Sequence, residues 1–265
     1  WQFRAPVSLP GMSRKLISVP VNVPDAQIPE FQWRLLRNGR TLQRGLVIPQ
    51  WLQAQDRIVL AAAVDNRAVS IVSGKGVGPN EAKVRMVFVR EGSLEGLPTE
   101  GYLYESVEGI LWGDVSPDGL KPEQITALES YINSGGDLVV WGGRHGGYFR
   151  NNWLANLLPV EVGSQGSLSR VDALSHFSET PLTLSEELIY SPARVKESLK
   201  KEARVLMQQE GSPLLVHAPY GQGSTTWLAF DPGSPQLVAW EGLDFFMLYL
   251  LHISGAAENH IYRGF

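Results

Sequence analysis

Four short apolar runs, most of them closing on glycine or aspartate, dominate the chain after Asp65. They are Ala68–Ser73 before Gly74, Val84–Val89, Glu108–Asp114 and Asp137–Gly142. Apolar runs of this length, bounded by such residues, read as strands buried on both faces. The stretches between them are long enough for crossovers, which parallel strands require. The pattern predicts a parallel sheet with helices packed against it.

One crossover helix is explicit. Pro122 suits a first helical turn, and Glu123 places a negative charge near the positive end of the helix dipole. Ile125, Leu128 and Ile132 recur at helical spacing, and Gly135-Gly136 supplies a left-handed stop. The last third turns antiparallel. Val205–Met207, Leu214–His217 and Thr225–Phe230 read as a three-strand meander, and Leu243, Phe246, Met247, Leu250 and Leu251 mark a closing helix. The charged run Arg194–Arg204 reads as the solvated face of a helix.

Residues 1–66 follow another pattern. Leu16–Val23 and Phe31–Leu35 alternate at period two, and Arg37-Asn38-Gly39-Arg40 carries the Asn-Gly signature of a type I′ hairpin turn, returned by Leu42–Ile48. Arg57–Val64 is a further strand. Four or five strands fall short of the seven or so in a complete sandwich. The expected division is an all-β, partly sandwich-like region over 1–66 and an α/β domain over 67–265. The abrupt start at Trp1 suggests a piece of a longer protein.

Composition narrows the chemistry. At 265 residues, 43% hydrophobic and 19% charged, the chain can bury a large core without metals or disulfides. It contains no cysteine, which excludes thiol catalysis, Cys-based zinc sites and iron–sulfur clusters. A net charge of −4 supplies no global positive field for nucleic acid. The apolar run Phe245–Leu251 is too short to span a bilayer. The five histidines, at 145, 176, 217, 252 and 260, lack metal-ligand spacing. No cofactor is expected.

Ligands of open α/β sheets bind at the carboxyl ends of the strands. The candidates there are Trp112 and Asp114 after the third run, Gly142, Gly143, Arg144 and His145 after the fourth, and Asp231 after Phe230. The loop Gly142–Gly147 offers glycine amides and an arginine to an anion, but it lacks the Gly-Lys-Ser/Thr of a phosphate loop. Gly74–Gly78 is equally incomplete and reads as a turn. No Gly-x-Ser-x-Gly elbow is present. A hydrolase would have to be built from His145 and Asp114 meeting across neighbouring strand tips. Trp112 and Trp141, close to strand tips, are either core or an aromatic wall. Trp227 reads as core.

Several segments together resemble the class I glutamine amidotransferase-like superfamily. They are Glu108–Asp114, the Pro122 helix, Gly135–Gly143, Leu157–Val160, Pro213–Val216, Tyr220–Gly223 and Ala229–Pro232, in that order over about residues 67–253. The similarity is greatest to a non-enzymatic branch found in large bacterial membrane-anchored proteins. The resemblance implies a flavodoxin-like core and an extracytoplasmic location, anchored by membrane segments outside this chain. It places the nucleophile slot at Gly142 or Gly143, the histidine slot at Asp231 and the glutamate slot at Gly233. All three triad roles are then lost. The implied function is a binding or scaffold module for a protein partner or small ligand. The alternative is sugar or anion binding, or hydrolysis, by the cluster Asp114, Arg144, His145 and Asp231. A third reading is an assembly module whose β region augments a partner's sheet.

Overall fold

In the computed structural model, residues 3–8, 10–11, 30–49, 52–53, 55–77, 82–89 and 91–254 are described. The expected strand Leu16–Val23 lies outside them. The chain divides into two compact units, Trp1–Ala54 and Gln55–Phe265.

In the first unit, β1 (Phe31–Arg37) and β2 (Arg40–Val47) form an antiparallel hairpin. Asn38 and Gly39 have φ of 50° and 78°, as a type I′ turn requires. Trp33 lies directly across from Gly45, and its indole occupies the space that a Gly45 side chain would need.

The second unit contains β3 (Arg57–Ala62), α1 (Arg67–Ser70), β4 (Gly76–Val77), β5 (Ala82–Val89), β6 (Val107–Trp112), α2 (Pro122–Asn133), β7 (Asp137–Trp141) and α3 (Trp153–Leu157). Short strands follow: β8 (Val160–Val162), β9 (Gly166–Leu168), β10 (Leu188–Tyr190) and β11 (Ala193–Val195). The unit closes with β12 (Arg204–Gln209), β13 (Ser212–Tyr220), β14 (Gly223–Leu228), α4 (Pro235–Val238) and α5 (Leu243–Ser254).

Eight strands form the main sheet in the order β12-β13-β14-β7-β6-β3-β5-β4. Its five parallel strands, numbered by chain order, run 2-1-3-4-5, the flavodoxin-like arrangement. The strand order reverses between β3 and β6, so the ligand crevice of such a fold falls beyond their carboxyl ends.

Both sheet faces are covered, and alternation along each strand decides which core a side chain joins. Leu60, Ile110, Trp112, Leu138 and Val140 pack on the α2 side with Leu128 and Ile132. Val59, Ala61, Leu111, Val139 and Trp141 pack on the opposite side with Phe246, Met247 and Leu250. Each such aliphatic side chain contributes about 1.5–3 kcal/mol through burial. In α2, Gln124 is fully buried, yet its amide donates to the Leu94 and Leu97 carbonyls at 2.7 and 2.8 Å. The helix ends where expected, with Gly135 at φ 120°.

Three expectations change. Arg57–Ala62 is the first parallel strand, so the α/β unit begins at Gln55 rather than at residue 67. Ala68–Ser73 is a helical turn, not a strand. Ala68, Val69 and Val72 are its buried residues, and such a short apolar run fits either state. Arg194–Arg204 is no helix; it holds β11 and a 3-10 turn at Glu197–Leu199.

Candidate functional site

The carboxyl ends of β3, β6 and β7, with the turn after β14, gather most of the residues expected there. Backbone continuity explains much of the corner after β7. The Gly142 amide donates to the Leu228 carbonyl at 2.8 Å, and the Gly143 amide to the Ala229 carbonyl at 3.0 Å. Both extend the parallel pairing of β7 with β14 beyond the strand ends. Neither amide is therefore available to an anion or an oxyanion, which removes the phosphate-cradle reading of these two residues.

Gly143 alone in this turn has a positive φ, at 65°. That is the left-handed conformation that favours glycine. A Cβ on Gly143 would lie 2.8 Å from the Asp231 nitrogen and 2.9 Å from the Asp231 Cβ. On its other side the Gly143 carbonyl accepts the Ser191 hydroxyl at 2.9 Å. Ser191 is buried and also fills the space beside Gly142 and Gly146. The room that a side chain at position 143 would need is thus taken by Asp231, which the resemblance places in the histidine slot.

Asp114 is spent on the backbone. Its carboxylate accepts the Val64 amide at 2.6 Å and the Asp65 amide at 3.2 Å. These bonds tie the tip of β6 to the tip of β3, across the point where the strand order reverses. No hydrogen bond joins Asp114 to His145 among the described residues.

Asp231 lies further along the same rim. Its carboxylate accepts the Gly233 amide at 2.8 Å. Burial, reinforced by the charges of Asp114 and Asp65, pushes its pKa up to about 6, while the Gly233 amide and His145 work in the opposite direction. His145 is half-buried and lies against the Tyr148 ring, with centroids 5.3 Å apart. Arg144 is exposed and makes no ion pair among the described residues. Together Arg144, His145, Tyr148 and Asp231 leave a polar rim above a closed corner.

Trp112 does not belong to this rim. It is fully buried, its Nε1 donates to the Val115 carbonyl at 2.9 Å, and it meets Trp153 edge-on. Trp141 is buried against Gly113, where a Cβ would meet its indole at 2.3 Å. The aromatic-wall reading gives way to packing for both, as it does for fully buried Trp227.

Sequence reasoning missed two neighbours. Arg67 grips Asp65 through Nε and Nη2 at 2.6–3.1 Å, and its Nη2 also donates to the Gly233 carbonyl at 3.0 Å. That grip holds the Asp65 carboxyl below the ordinary range. The signal was an Asp-x-Arg directly after a strand, obscured once Arg57–Val64 was assigned to the N-terminal region. No group of His, Asp or Glu suited to a metal ion occurs among the described residues.

No family model matches the chain, and no curated protein matches it in sequence. Its fold is nevertheless shared. A cytoplasmic protein from Salmonella typhimurium LT2 superposes with a TM-score of 0.55 at 17% identity, over 85% of this chain and 96% of that one. A second cytoplasmic protein from Salmonella typhimurium gives 0.56 at 14% identity, over 86% and 96%. A ThuA-like protein from Bacteroides uniformis gives 0.47 at 11%, over 77% and 94%. The likeness is one of fold.

That fold is a flavodoxin-like α/β type, and a Cys-based amidotransferase triad is absent because the chain has no cysteine. The extracytoplasmic, membrane-anchored placement is corrected. The two Salmonella structures, each matched over 96% of its length, are described as cytoplasmic proteins. No helix among the described residues is long and apolar enough to cross a membrane.

Proposed function

We propose that this chain is a non-enzymatic binding or scaffold module built on an amidotransferase-like fold. One observation carries the reading. The turn keeps a glycine in the left-handed conformation at the nucleophile slot, and Asp231 occupies the space its side chain would need. Two more support it. Asp114 is held by the Val64 and Asp65 amides, and the Gly142 and Gly143 amides are consumed by the sheet. The carboxylate and the turn amides that such chemistry would draw on are thus already engaged. Ammonia release from glutamine by the purified chain tests this. No release above a protein-free control is expected; release that disappears with Asp231→Ala would refute it.

A second reading is binding of a small anionic or polyhydroxy ligand on the rim. Exposed Arg144, which forms no ion pair among the described residues, favours it, as does Ser234, whose buried hydroxyl has no hydrogen-bond partner among them and sits beside the Asp231 turn. A ligand that binds only the folded state, at free concentration L, stabilises it by RT ln(1 + L/Kd), so the melting temperature rises with ligand concentration. A stabilising ligand should lose its effect with Arg144→Ala and His145→Ala together. An unchanged shift would place that ligand elsewhere.

A further inference from the structure

The net charge of −4 hides two units of opposite sign. Residues 1–54 hold seven basic and two acidic residues, net +5, while the remainder holds 16 basic and 25 acidic, net −9. The positive charge is concentrated on the β1–β2 hairpin, whose residues 31–47 include four arginines and no carboxylate. The register sets Arg34 opposite Arg44 and Arg37 opposite Arg40. Like charges directly opposed across strands are destabilising. All four are exposed, and none forms an ion pair among the described residues.

These arginines are interleaved with exposed aliphatic side chains. Leu36 and Leu42, on either side of the turn, are 52% and 60% exposed, and Leu46 is 49% exposed. Between the Arg34–Arg44 pair and Trp33 lies an open depression of ≈ 330 Å³. A bare acidic partner or a nucleic acid would satisfy the arginines but give the leucines no apolar environment. A surface presenting anionic headgroups above hydrocarbon satisfies both: basic side chains pair with phosphates while apolar neighbours enter the interface.

We propose that the β1–β2 hairpin docks peripherally on an anionic lipid bilayer. The hairpin enters by its turn end, so that the Arg34–Arg44 and Arg37–Arg40 pairs on its two faces both reach headgroup phosphates, and Leu36 and Leu42 beside the turn enter the interfacial layer. The contact uses no spanning helix.

Co-sedimentation of the full chain with vesicles tests it. One set is phosphatidylcholine alone, and the other contains about one-third phosphatidylglycerol. Binding is expected to the anionic vesicles only, weakening as salt rises. Arg34→Gln with Arg44→Gln should lower the partition coefficient about thirty-fold, at the usual contribution of a basic residue near an anionic surface. Arg34→Lys with Arg44→Lys should retain most of the binding. Leu36→Ser with Leu42→Ser should lower it at least about tenfold without changing the salt slope. All of these positions are exposed, so unchanged melting temperatures confirm that each variant folds. Equal binding to neutral vesicles, or full binding by either the glutamine or the serine variant, overturns the proposal. Tighter binding to a single-stranded oligonucleotide than to anionic vesicles also overturns it and assigns the hairpin to nucleic acid.

Discussion

A side chain on Gly143 would begin 2.8 Å from the backbone nitrogen of Asp231. Real Cβ atoms do not approach backbone so closely, so these two residues exclude a nucleophile from this turn by geometry as well as by composition. The same contact makes the corner a junction. Gly143 bonds Ala229 through its amide and Ser191 through its carbonyl, locking the end of β7 to the segment after β14 and to the link between β10 and β11.

Asp114 should matter for stability rather than for chemistry. Asp114→Ala leaves the Val64 and Asp65 amides without their acceptor. Both sites are partly exposed, so water recovers some of the loss, and the expected cost is about 1–2 kcal/mol. Asp114→Asn keeps one oxygen and should cost less. Denaturant unfolding measures the difference, and hydrogen exchange should quicken at Val64 and Asp65 first. An Ala variant as stable as wild type would remove Asp114 from this role.

The opposite end of the sheet predicts a pH dependence. Asp137 is buried at the start of β7 and accepts the Ser224 hydroxyl at 2.5 Å. Burial, aided by the charge of Glu108, pushes its pKa up to about 7, while the Ser224 hydroxyl opposes the shift. The folded state therefore binds a proton more tightly than the unfolded chain does. Stability from this group is full below the ordinary carboxylate range and is lost as pH rises through about 7. Asp231, raised to about 6, acts in the same direction over a lower window. Unfolding free energy should fall between about pH 4 and 7 as far as these two groups decide it. Asp137→Asn should flatten the upper part of that slope, between about pH 6 and 7. An identical slope in the variant would show that Asp137 is ionised in the fold.

The Tyr220–Gly223 hairpin earns its glycines by docking on α2. A Cβ on Gly223 would lie 2.0 Å from the Gly136 carbonyl oxygen and 2.4 Å from that of Ile132. Gly223→Ala must push backbone from backbone and should cost several kcal/mol, on the order of an overpacked core. Gly147→Ala, where nothing lies within 4 Å of the added methyl, should be near neutral. Comparing the two melting curves separates close approach from the general effect of replacing glycine.

Much of this fold was legible because burial writes itself into strand composition. The runs at Val84–Val89, Glu108–Asp114 and Asp137–Gly142, the Pro122 helix, the meander and the Asn-Gly turn all stand as read. Arg57–Ala62 was misassigned because its alanine-rich run follows Pro-rich β segments without a break, and only pairing with β5 and β6 reveals its sheet. The site was half legible. Position at strand tips pointed to Asp114, Gly143 and Asp231. Nothing in one dimension showed that Asp114 would turn back onto the Val64 amide, or that Asp231 would fill the space beside Gly143. Trp112 looked like a tip residue, yet alternation turns its ring into the α2-side core.

Thermal unfolding of Gly143→Ala is the most direct test that this corner is kept for geometry. The methyl meets Asp231 and forces a non-glycine residue to φ 65°. The expected loss is about 2 kcal/mol, roughly a 4–8 °C drop in melting temperature. A melting temperature equal to that of wild type would mean that the turn has room for a side chain, and the slot would again be open to chemistry.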